Sequence, residues 1–240
     1  MSALLSVTCV SKRFSGLVAV DRASFDVGRG EIFAVIGPNG AGKTTLFSMI
    51  AGALKSDEGE IAFQGERIDG LRPDEICRRG VARTFQIVRP FPALTVGDNV
   101  MIGALLRTAG TVQALARAHE VMRQLDLFDK RARIAKSLTL PDRKRLEVAR
   151  ALATAPQLLL LDEVMAGLRP TETDRIVAIL RELNAQGLTI LLIEHVMRAV
   201  MALATQVLVL HHGAPIALGS PSEVVRRPTV ISSYLGAEAV

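Results

Sequence analysis

The sequence of 240 residues contains no tryptophan, one tyrosine and only two cysteines. Cys9 and Cys77 lie far apart along the chain, so we expect neither a disulfide framework nor a cysteine-based metal cluster, and a reduced compartment fits this composition. The scarcity of Trp and Tyr argues against a surface on which nucleic-acid bases stack, although the net charge is +5. No block of five like charges occurs either, so we predict no nucleic-acid partner.

Long hydrophobic runs are also missing. A membrane-spanning helix needs about 20 consecutive apolar residues, and the longest stretch without Asp, Glu, Lys or Arg, residues 199–222, is interrupted by Gln, His, Gly and Pro. The first fourteen residues have neither a basic start nor a long apolar run, so they do not indicate a secretory signal. We therefore predict a soluble protein, which is compatible with docking on a membrane protein.

The remaining composition is that of a globular protein, in which short apolar runs alternate with helix-like stretches. This alternation predicts an α/β fold with parallel strands and crossover helices. Residues 4–10 and 18–27 are strand-like, and the second segment alternates apolar and polar residues. Residues 98–138 are rich in Ala, Leu and Arg, which predicts a helical insertion. Residues 158–161 form a continuous apolar run, which is typical of a strand buried on both faces.

The strongest motif is a glycine-rich loop of the form G-x-x-x-x-G-K-T, which follows a predicted strand and opens a predicted helix. Glycines let backbone N–H groups turn inward around a phosphate chain, and the helix N-terminus adds its dipole. We predict that Lys43 contacts the β- and γ-phosphates of a nucleotide and that the Thr44 hydroxyl ligates Mg²⁺. The predicted nucleotide-binding residues of the loop are Gly37, Pro38, Asn39, Gly40, Ala41, Gly42, Lys43, Thr44 and Thr45.

A carboxylate pair, Asp162 and Glu163, ends the predicted strand at 158–161. We predict that Asp162 holds Mg²⁺, directly or through water, and that Glu163 polarises the attacking water as a general base. Considered alone, the pair is also compatible with a strand end followed by a helix-capping acid. The glycine-rich loop upstream favours the nucleotide-site interpretation.

Two polar residues that follow other apolar runs give weaker signals. His195 comes after residues 190–193; it can sense a γ-phosphate, but a histidine just past a core strand is often a structural hydrogen-bonding residue. Gln86 follows the strand-like residues 81–85, and its amide can ligate Mg²⁺ or orient water. We retain both as candidates.

The order of these elements resembles that of the ATP-binding-cassette ATPases over nearly the whole chain. The resemblance implies an α/β P-loop NTPase fold with a mixed, mainly parallel core sheet, an N-terminal antiparallel β-subdomain and an inserted helical subdomain. It further implies a single domain. Its nucleotide-binding core would cover about 1–85 and 156–220, its helical subdomain about 90–155, and its C-terminal helical tail 221–240.

The same resemblance gives the candidate residues their roles. Phe14 is similar to the aromatic residue that stacks on adenine, Gln86 to the Q-loop glutamine and His195 to the switch histidine. The implied ligands are ATP and Mg²⁺, and the implied activity is ATP hydrolysis coupled to transmembrane transport. The implied catalytic residues are Glu163, His195 and Gln86, and the implied metal ligands are Thr44, Gln86 and Asp162.

Four segments resemble the ATPases of importers for branched-chain and other hydrophobic amino acids more closely: 80–86 (GVARTFQ), 146–152 (LEVARAL), 191–195 (LLIEH) and 228–236 (PTVISSYLG). This resemblance implies a peripheral subunit on the cytoplasmic face of the inner or plasma membrane. Its implied partners are a second ATPase subunit, two integral-membrane permease subunits and a periplasmic or extracellular solute-binding protein. Residues 86–100 resemble the groove that receives a permease helix, and an ordinary proline-containing loop is the alternative.

The resemblance implies a head-to-tail dimer in which each ATP lies between the phosphate-binding loop of one subunit and the signature sequence, L-S-G-G-Q, of the other. The chain departs from the family pattern where this signature is expected. Residues 138–142 read L-T-L-P-D, so Pro141 removes a backbone N–H and Asp142 places a negative charge where the partner's γ-phosphate is expected. Asp142 is equally compatible with a helix N-cap. Val164 replaces a proline and Arg169 an aspartate at the same expected dimer seam.

These departures predict a heterodimer of two different ATPase chains with unequal composite sites. The site that combines this chain's loop residues 37–45, Asp162 and Glu163 with an intact signature of the partner would hydrolyse ATP. The site that uses residues 138–142 of this chain would bind ATP and turn over slowly. Two alternatives stay open. One is the ATPase of a lipopolysaccharide-type exporter, which should have an intact signature, and the other is a regulatory ATP-binding subunit with little turnover of its own.

Overall fold

The computed structural model describes residues 3–85 and 90–235 of the chain. The strands are β1 (Leu5–Phe14), β2 (Leu17–Val27), β3 (Ile32–Ile36), β4 (Glu58–Phe63), β5 (Glu66–Arg67), β6 (Val81–Arg83), β7 (Leu158–Asp162), β8 (Thr189–Ile193), β9 (Gln206–His211) and β10 (Ala214–Gly219). The helices are α1 (Lys43–Ile50), α2 (Pro73–Arg79), α3 (Val96–Ala104), α4 (Thr111–Gln124), α5 (Leu140–Ala153), α6 (Pro170–Ala185), α7 (Met197–Leu203), α8 (Pro221–Val224) and α9 (Pro228–Leu235).

The N-terminal strands form an antiparallel sheet with the order β2-β1-β4-β5. In β1, Leu5 and Val7 are buried, whereas Ser6 is half-buried and Thr8 is exposed. This alternation is expected of a sheet with one face on the core and the other toward solvent. The N-terminal antiparallel β-subdomain implied by the sequence is confirmed.

The larger sheet has the order β10-β9-β3-β8-β7-β6. Its strands run parallel, except that β10 pairs antiparallel with β9. Every residue of β3, β7 and β8 is buried, because both faces of the sheet are covered. The mixed, mainly parallel core sheet is therefore confirmed, together with the α/β P-loop fold.

Alternate residues of the central strands enter two hydrophobic clusters. In β7, Leu158 and Leu160 pack with α1 and the antiparallel sheet, and Leu159 and Leu161 pack with the cluster that includes α3 to α7. Adjacent strands β3, β8 and β7 end at the same edge of the sheet, because they are parallel and in register. The polar segments that follow these three strands therefore meet in one place.

Helices α3, α4 and α5 pack against one another between β6 and β7 in the chain order. Helix α4 buries Ala114, Ala118, Val121 and Met122 on one face, which is the spacing of an amphipathic helix. None of the helices within 3–85 and 90–235 combines the length and the apolar character that crossing a membrane requires.

Candidate nucleotide-binding site

The glycine-rich loop connects the end of β3 to the start of α1. Gly37, Gly40 and Gly42 have φ angles of 149°, 80° and 99°, which residues with side chains rarely adopt. A Cβ atom at Gly37 would also clash with the backbone oxygen of Leu210, and one at Gly42 with that of Ala19. The backbone conformation therefore favours glycine at all three positions, and the close approach to β9 and β2 also requires it at Gly37 and Gly42.

Lys43, the first residue of α1, folds back onto this loop and is buried. Its ammonium donates hydrogen bonds to the carbonyl oxygens of Gly37 and Pro38 at 2.7 and 2.9 Å. Burial lowers the pKa of Lys43, and the negative charges of Glu163 and Asp162 oppose this shift. Lys43 thus lies within electrostatic reach of both carboxylates, and its ammonium protons are available to any phosphate oxygen that displaces the loop carbonyls.

A cleft of about 450 Å³ opens beside the loop. Phe14 lies at its rim with 43% of its surface exposed, and the Lys12 ammonium is 5.6 Å from the centre of its ring. An exposed aromatic ring next to a phosphate-binding loop suits a nucleobase, which stacks through its flat face. The lining residues are Phe14, Leu17, Val18, Ala19, Asn39, Gly40, Ala41, Gly42, Lys43, Thr44, Thr45, Glu163 and His212.

Asp162 ends β7 and is 1% exposed. Its Oδ2 atom accepts a hydrogen bond from Nη2 of Arg83 at 2.9 Å. Its Oδ1 atom is buried and has no hydrogen-bond partner among the described residues. Hard divalent cations and their bound waters favour such carboxylate oxygens, so the residue fits the Mg²⁺-binding role predicted for it. Thr44, whose side chain is exposed, lines the cleft at the start of α1.

Glu163 follows Asp162 with a left-handed φ of 49°. Its N–H donates to the carbonyl oxygen of Ile193 at 3.0 Å, and its own carbonyl oxygen accepts a hydrogen bond from the Lys144 ammonium at 2.9 Å. The Glu163 carboxylate lies 3.9 Å from Nδ1 of His195. These contacts place the proposed base and the histidine at the ends of adjacent strands, and Glu163 also lines the cleft beside the loop.

Gln86, which the sequence suggests as a catalytic residue and metal ligand, lies outside the described residues. Strand β6, which leads toward it, ends at Arg83 beside Asp162. The structure therefore brings Lys43, Asp162, Glu163 and His195 together, and the role of Gln86 stays a prediction.

Comparisons with known proteins match this geometry to one family. The family model described as "ABC transporter" matches residues 20–166. The chain is 39% identical to the high-affinity branched-chain amino acid transport ATP-binding protein LivG of Escherichia coli K12, over 97% of this chain and 98% of that one. The chain belongs to the ABC transporter family. It is an ATP-binding cassette and an ATPase, as the sequence motifs indicate.

Other relatives support the same assignment of this cassette. It is 36% identical to the branched-chain amino acid transport ATP-binding protein BraF of Pseudomonas aeruginosa, over 97% of this chain and 98% of BraF. It is 35% identical to the lipopolysaccharide export ATP-binding protein LptB of Acidithiobacillus ferridurans, over 98% of both chains. A solved cassette in its ADP conformation superimposes with a TM-score of 0.90 at 31% identity, over 98% of this chain and 100% of that one.

Residues 138–142, where the signature sequence is expected, lie at the N-terminus of α5. We call them the signature segment. Thr139 is the N-cap residue, and its hydroxyl accepts a hydrogen bond from the Asp142 N–H. The alternative that Asp142 is itself the N-cap is therefore wrong. Pro141 lies in the first helical turn, where a missing N–H removes no hydrogen bond from the helix.

The charge of Asp142 is paired within the chain. Its buried carboxylate forms ion pairs with the Lys130 ammonium and the Arg145 guanidinium. Burial by itself would raise the pKa of Asp142, but hydrogen bonds from Lys130 and Thr139 and the nearby positive charges lower it below its usual value. Asp142 therefore stays ionised, and the positive charges of Lys130 and Arg145 offset its negative charge. This weakens the repulsion that Asp142 would exert on a phosphate.

Sequence reasoning missed several residues that surround the site. Glu194 is buried, and its Oε1 accepts a hydrogen bond from the Met165 N–H at 2.9 Å; burial raises its pKa, and this hydrogen bond opposes the shift. An acidic residue directly after the apolar run of β8 is the signal that could have found Glu194. His212, in the cleft, follows β9 in a similar way, whereas no local signal marks the contact of Arg83 with Asp162.

We expect Lys43→Ala to weaken ATP binding by about 10-fold or more, because charge-assisted hydrogen bonds contribute about 1.5–3 kcal/mol each. Titration of the purified chain with a fluorescent ATP analogue measures this change. Lys55→Ala, at an exposed lysine, is the matched control and should bind as the wild type does. Equal affinity of Lys43→Ala and the wild type would contradict the assigned role.

We expect Glu163→Gln to retain ATP binding and to lose about 10²- to 10⁴-fold in turnover, since general-base catalysis contributes an effect of that size. The comparison requires nucleotide binding and phosphate release to be measured on the same preparation. Glu182→Gln, at an exposed position of α6, controls for the loss of one carboxylate. Brisk turnover by Glu163→Gln would show that another group is the base.

Proposed function

We propose that this cassette is the ATP-hydrolysing subunit of an importer for branched-chain or related hydrophobic amino acids. The observation that carries the proposal is its 39% identity, over 97% of its length, to proteins named for branched-chain amino acid transport. BraF, named for the same transport, is 36% identical. The export protein LptB is 35% identical, so export of a lipopolysaccharide is the second candidate.

The positions of the site residues support a division of roles in ATP hydrolysis. The loop amides and Lys43 bind the phosphate chain, and Phe14 stacks on the base. Glu163 accepts the proton of the attacking water. His195, whose Nδ1 lies 3.9 Å from the Glu163 carboxylate, orients the water and contacts the γ-phosphate.

Thr44, Asp162 and Gln86 are the residues that we propose hold Mg²⁺. When bound, the ion neutralises charge on the β- and γ-phosphates. The buried Oδ1 of Asp162, which has no hydrogen-bond partner within residues 3–85 and 90–235, and the location of Thr44 in the cleft support this assignment. Mg²⁺ is commonly bound by one or two carboxylates together with substrate phosphates and waters, and Asp162 is the carboxylate among these three residues.

An apolar groove between α2, β6, α3 and α5 supports a permease as a partner. Phe85 and Ile102 line it and are 52% and 41% exposed. Phe91, also exposed, lies with its ring 5.1 Å from the Arg150 guanidinium, which faces the same groove. Exposed apolar side chains around a groove are typical of a surface that a partner helix covers. We therefore place two membrane permease subunits on this face of an ATPase dimer, with a solute-binding protein outside the membrane.

The same arrangement gives the cassette a peripheral position on the cytoplasmic face of the membrane. Helices α3 to α5, which pack together between β6 and β7, support the division into a nucleotide-binding core (about 1–85 and 156–220) and a helical subdomain (about 90–155). The groove lies where these two parts adjoin. ATP-driven closing and opening of the dimer would move the groove and, with it, the permease.

The signature segment supports a heterodimer. A homodimer would use Pro141, which has no N–H for a phosphate, in both of its composite sites. A partner chain with an intact signature would complete the site that contains Lys43 and Glu163. The second site, which uses residues 138–142, would bind ATP and turn over slowly.

The heterodimer proposal predicts that the lone chain has low ATPase activity. Adding a partner ATPase chain with an intact signature should raise phosphate release at least about 10-fold, since one complete site then forms. The same mixture made with Glu163→Gln in this chain should lose that gain. Full activity of the lone chain would contradict the proposal.

The transport proposal predicts ATP-dependent uptake of leucine by proteoliposomes that contain the cassette with its co-purified membrane subunits and binding protein. Accumulation of labelled leucine is the measurement, and the complex with Glu163→Gln is the control that should not accumulate it. Absence of leucine uptake together with ATP-dependent extraction of lipopolysaccharide would favour the exporter instead.

A further inference from the structure

Asp162, the proposed Mg²⁺ ligand, forms a buried ion pair with Arg83. Nη2 of Arg83 is 2.9 Å from Oδ2 of Asp162, and the two side chains are 11% and 1% exposed. The other terminal nitrogen, Nη1, donates to the Ser48 hydroxyl at 3.0 Å. Ser48 in turn donates to the carbonyl oxygen of Thr44 at 2.7 Å. One guanidinium therefore connects the ends of β6 and β7 with the first turns of α1.

The residue after Arg83 holds the backbone of the same aspartate. The Asp162 N–H donates to the Thr84 hydroxyl at 3.1 Å, and the Thr84 N–H donates to the carbonyl oxygen of Leu160 at 2.9 Å. Thr84 is fully buried. Two consecutive residues thus fix both the peptide group and one carboxylate oxygen of Asp162.

The contact of Arg83 decides which carboxylate oxygen stays available. A guanidinium often binds both oxygens of a carboxylate in a forked pair, but here its two terminal nitrogens go to different partners, Asp162 and Ser48. Oδ2 is therefore occupied, and Oδ1 is the atom without a partner in the described part of the chain. The hydrogen bond restricts the rotation of the carboxylate, so that Oδ2 is held by Arg83 and Oδ1 is the oxygen left for a cation.

We propose that Arg83 is a positioning residue that orients Asp162 for Mg²⁺. The inference rests on the proposed Mg²⁺-binding role of Asp162. Two effects of the guanidinium oppose each other, because its positive charge repels a cation while its hydrogen bond fixes the carboxylate. The orienting effect prevails, since loss of a residue that hydrogen-bonds a metal ligand typically weakens metal binding about 10- to 100-fold.

The test is a Mg²⁺ titration of ATP-analogue binding, followed by fluorescence, for the wild type, Arg83→Gln and Arg83→Lys. We expect Arg83→Gln to raise the half-saturating Mg²⁺ concentration about 10- to 100-fold, with binding in EDTA unchanged. Arg83→Lys should give an intermediate rise, because one ammonium cannot reach both Asp162 and Ser48 in the same geometry. A purely structural role would instead weaken binding equally with and without Mg²⁺.

Arg67→Gln is the matched control, because it also removes an arginine–aspartate ion pair. Nε of Arg67 lies 2.8 Å from Oδ1 of Asp69, and Arg67 belongs to β5 at the edge of the antiparallel sheet. Its Mg²⁺ requirement should equal that of the wild type. An unchanged or lower Mg²⁺ requirement in Arg83→Gln would overturn the positioning role. If Arg83→Gln does not fold, as judged by circular dichroism, Arg83→Lys decides by the same criterion.

Asp162→Asn separates this inference from the proposed function. If Asp162→Asn raises the Mg²⁺ requirement and the Arg83 variants do not, only the positioning role is wrong. If Asp162→Asn also leaves the requirement unchanged, the Mg²⁺-binding role of Asp162 is wrong, and the inference about Arg83 fails with it.

Discussion

The in-register pairing of β3, β8 and β7 is the constraint on which the site depends. These strands are buried on both faces, and their alternate residues enter two separate hydrophobic clusters. A slip of one residue would exchange the side chains of the two clusters, so burial holds the register. Because the register is fixed, the ends of the three strands stay level, and Lys43, Asp162 and His195 are brought to one edge of the sheet.

Charge balance supports the proposal that a nucleotide and a cation bind to this site together. Lys43 donates to loop carbonyls and lies near two carboxylates, Asp162 and Glu163. A triphosphate adds several negative charges to the same cleft. Lys43 supplies one positive charge, so the proposed divalent cation at Asp162 would offset the negative charges that Lys43 does not.

The sequence predicted the parts of the site that are encoded locally. The glycine spacing around Lys43 and the carboxylates after an apolar run belong to short segments, and their meeting follows from parallel strand order. It did not predict the contacts of Arg83 with Asp162, 79 residues apart, or of Lys130 with Asp142, 12 residues apart. Neither pair has a periodic or motif signal, because each is formed only when separate elements pack.

The internal pairing of Asp142 changes the reason for expecting unequal sites. From the sequence, the acidic charge and the missing N–H of Pro141 both weigh against phosphate binding at residues 138–142. The structure shows that Lys130 and Arg145 form ion pairs with this carboxylate, so positive charges next to Asp142 offset its repulsion of a phosphate. The missing N–H of Pro141 is not offset in this way, because no neighbouring group can supply a backbone hydrogen-bond donor at its position. Pro141 is therefore the residue from which we expect unequal sites, and Thr139, whose hydroxyl caps α5, supplies the one hydroxyl of residues 138–142.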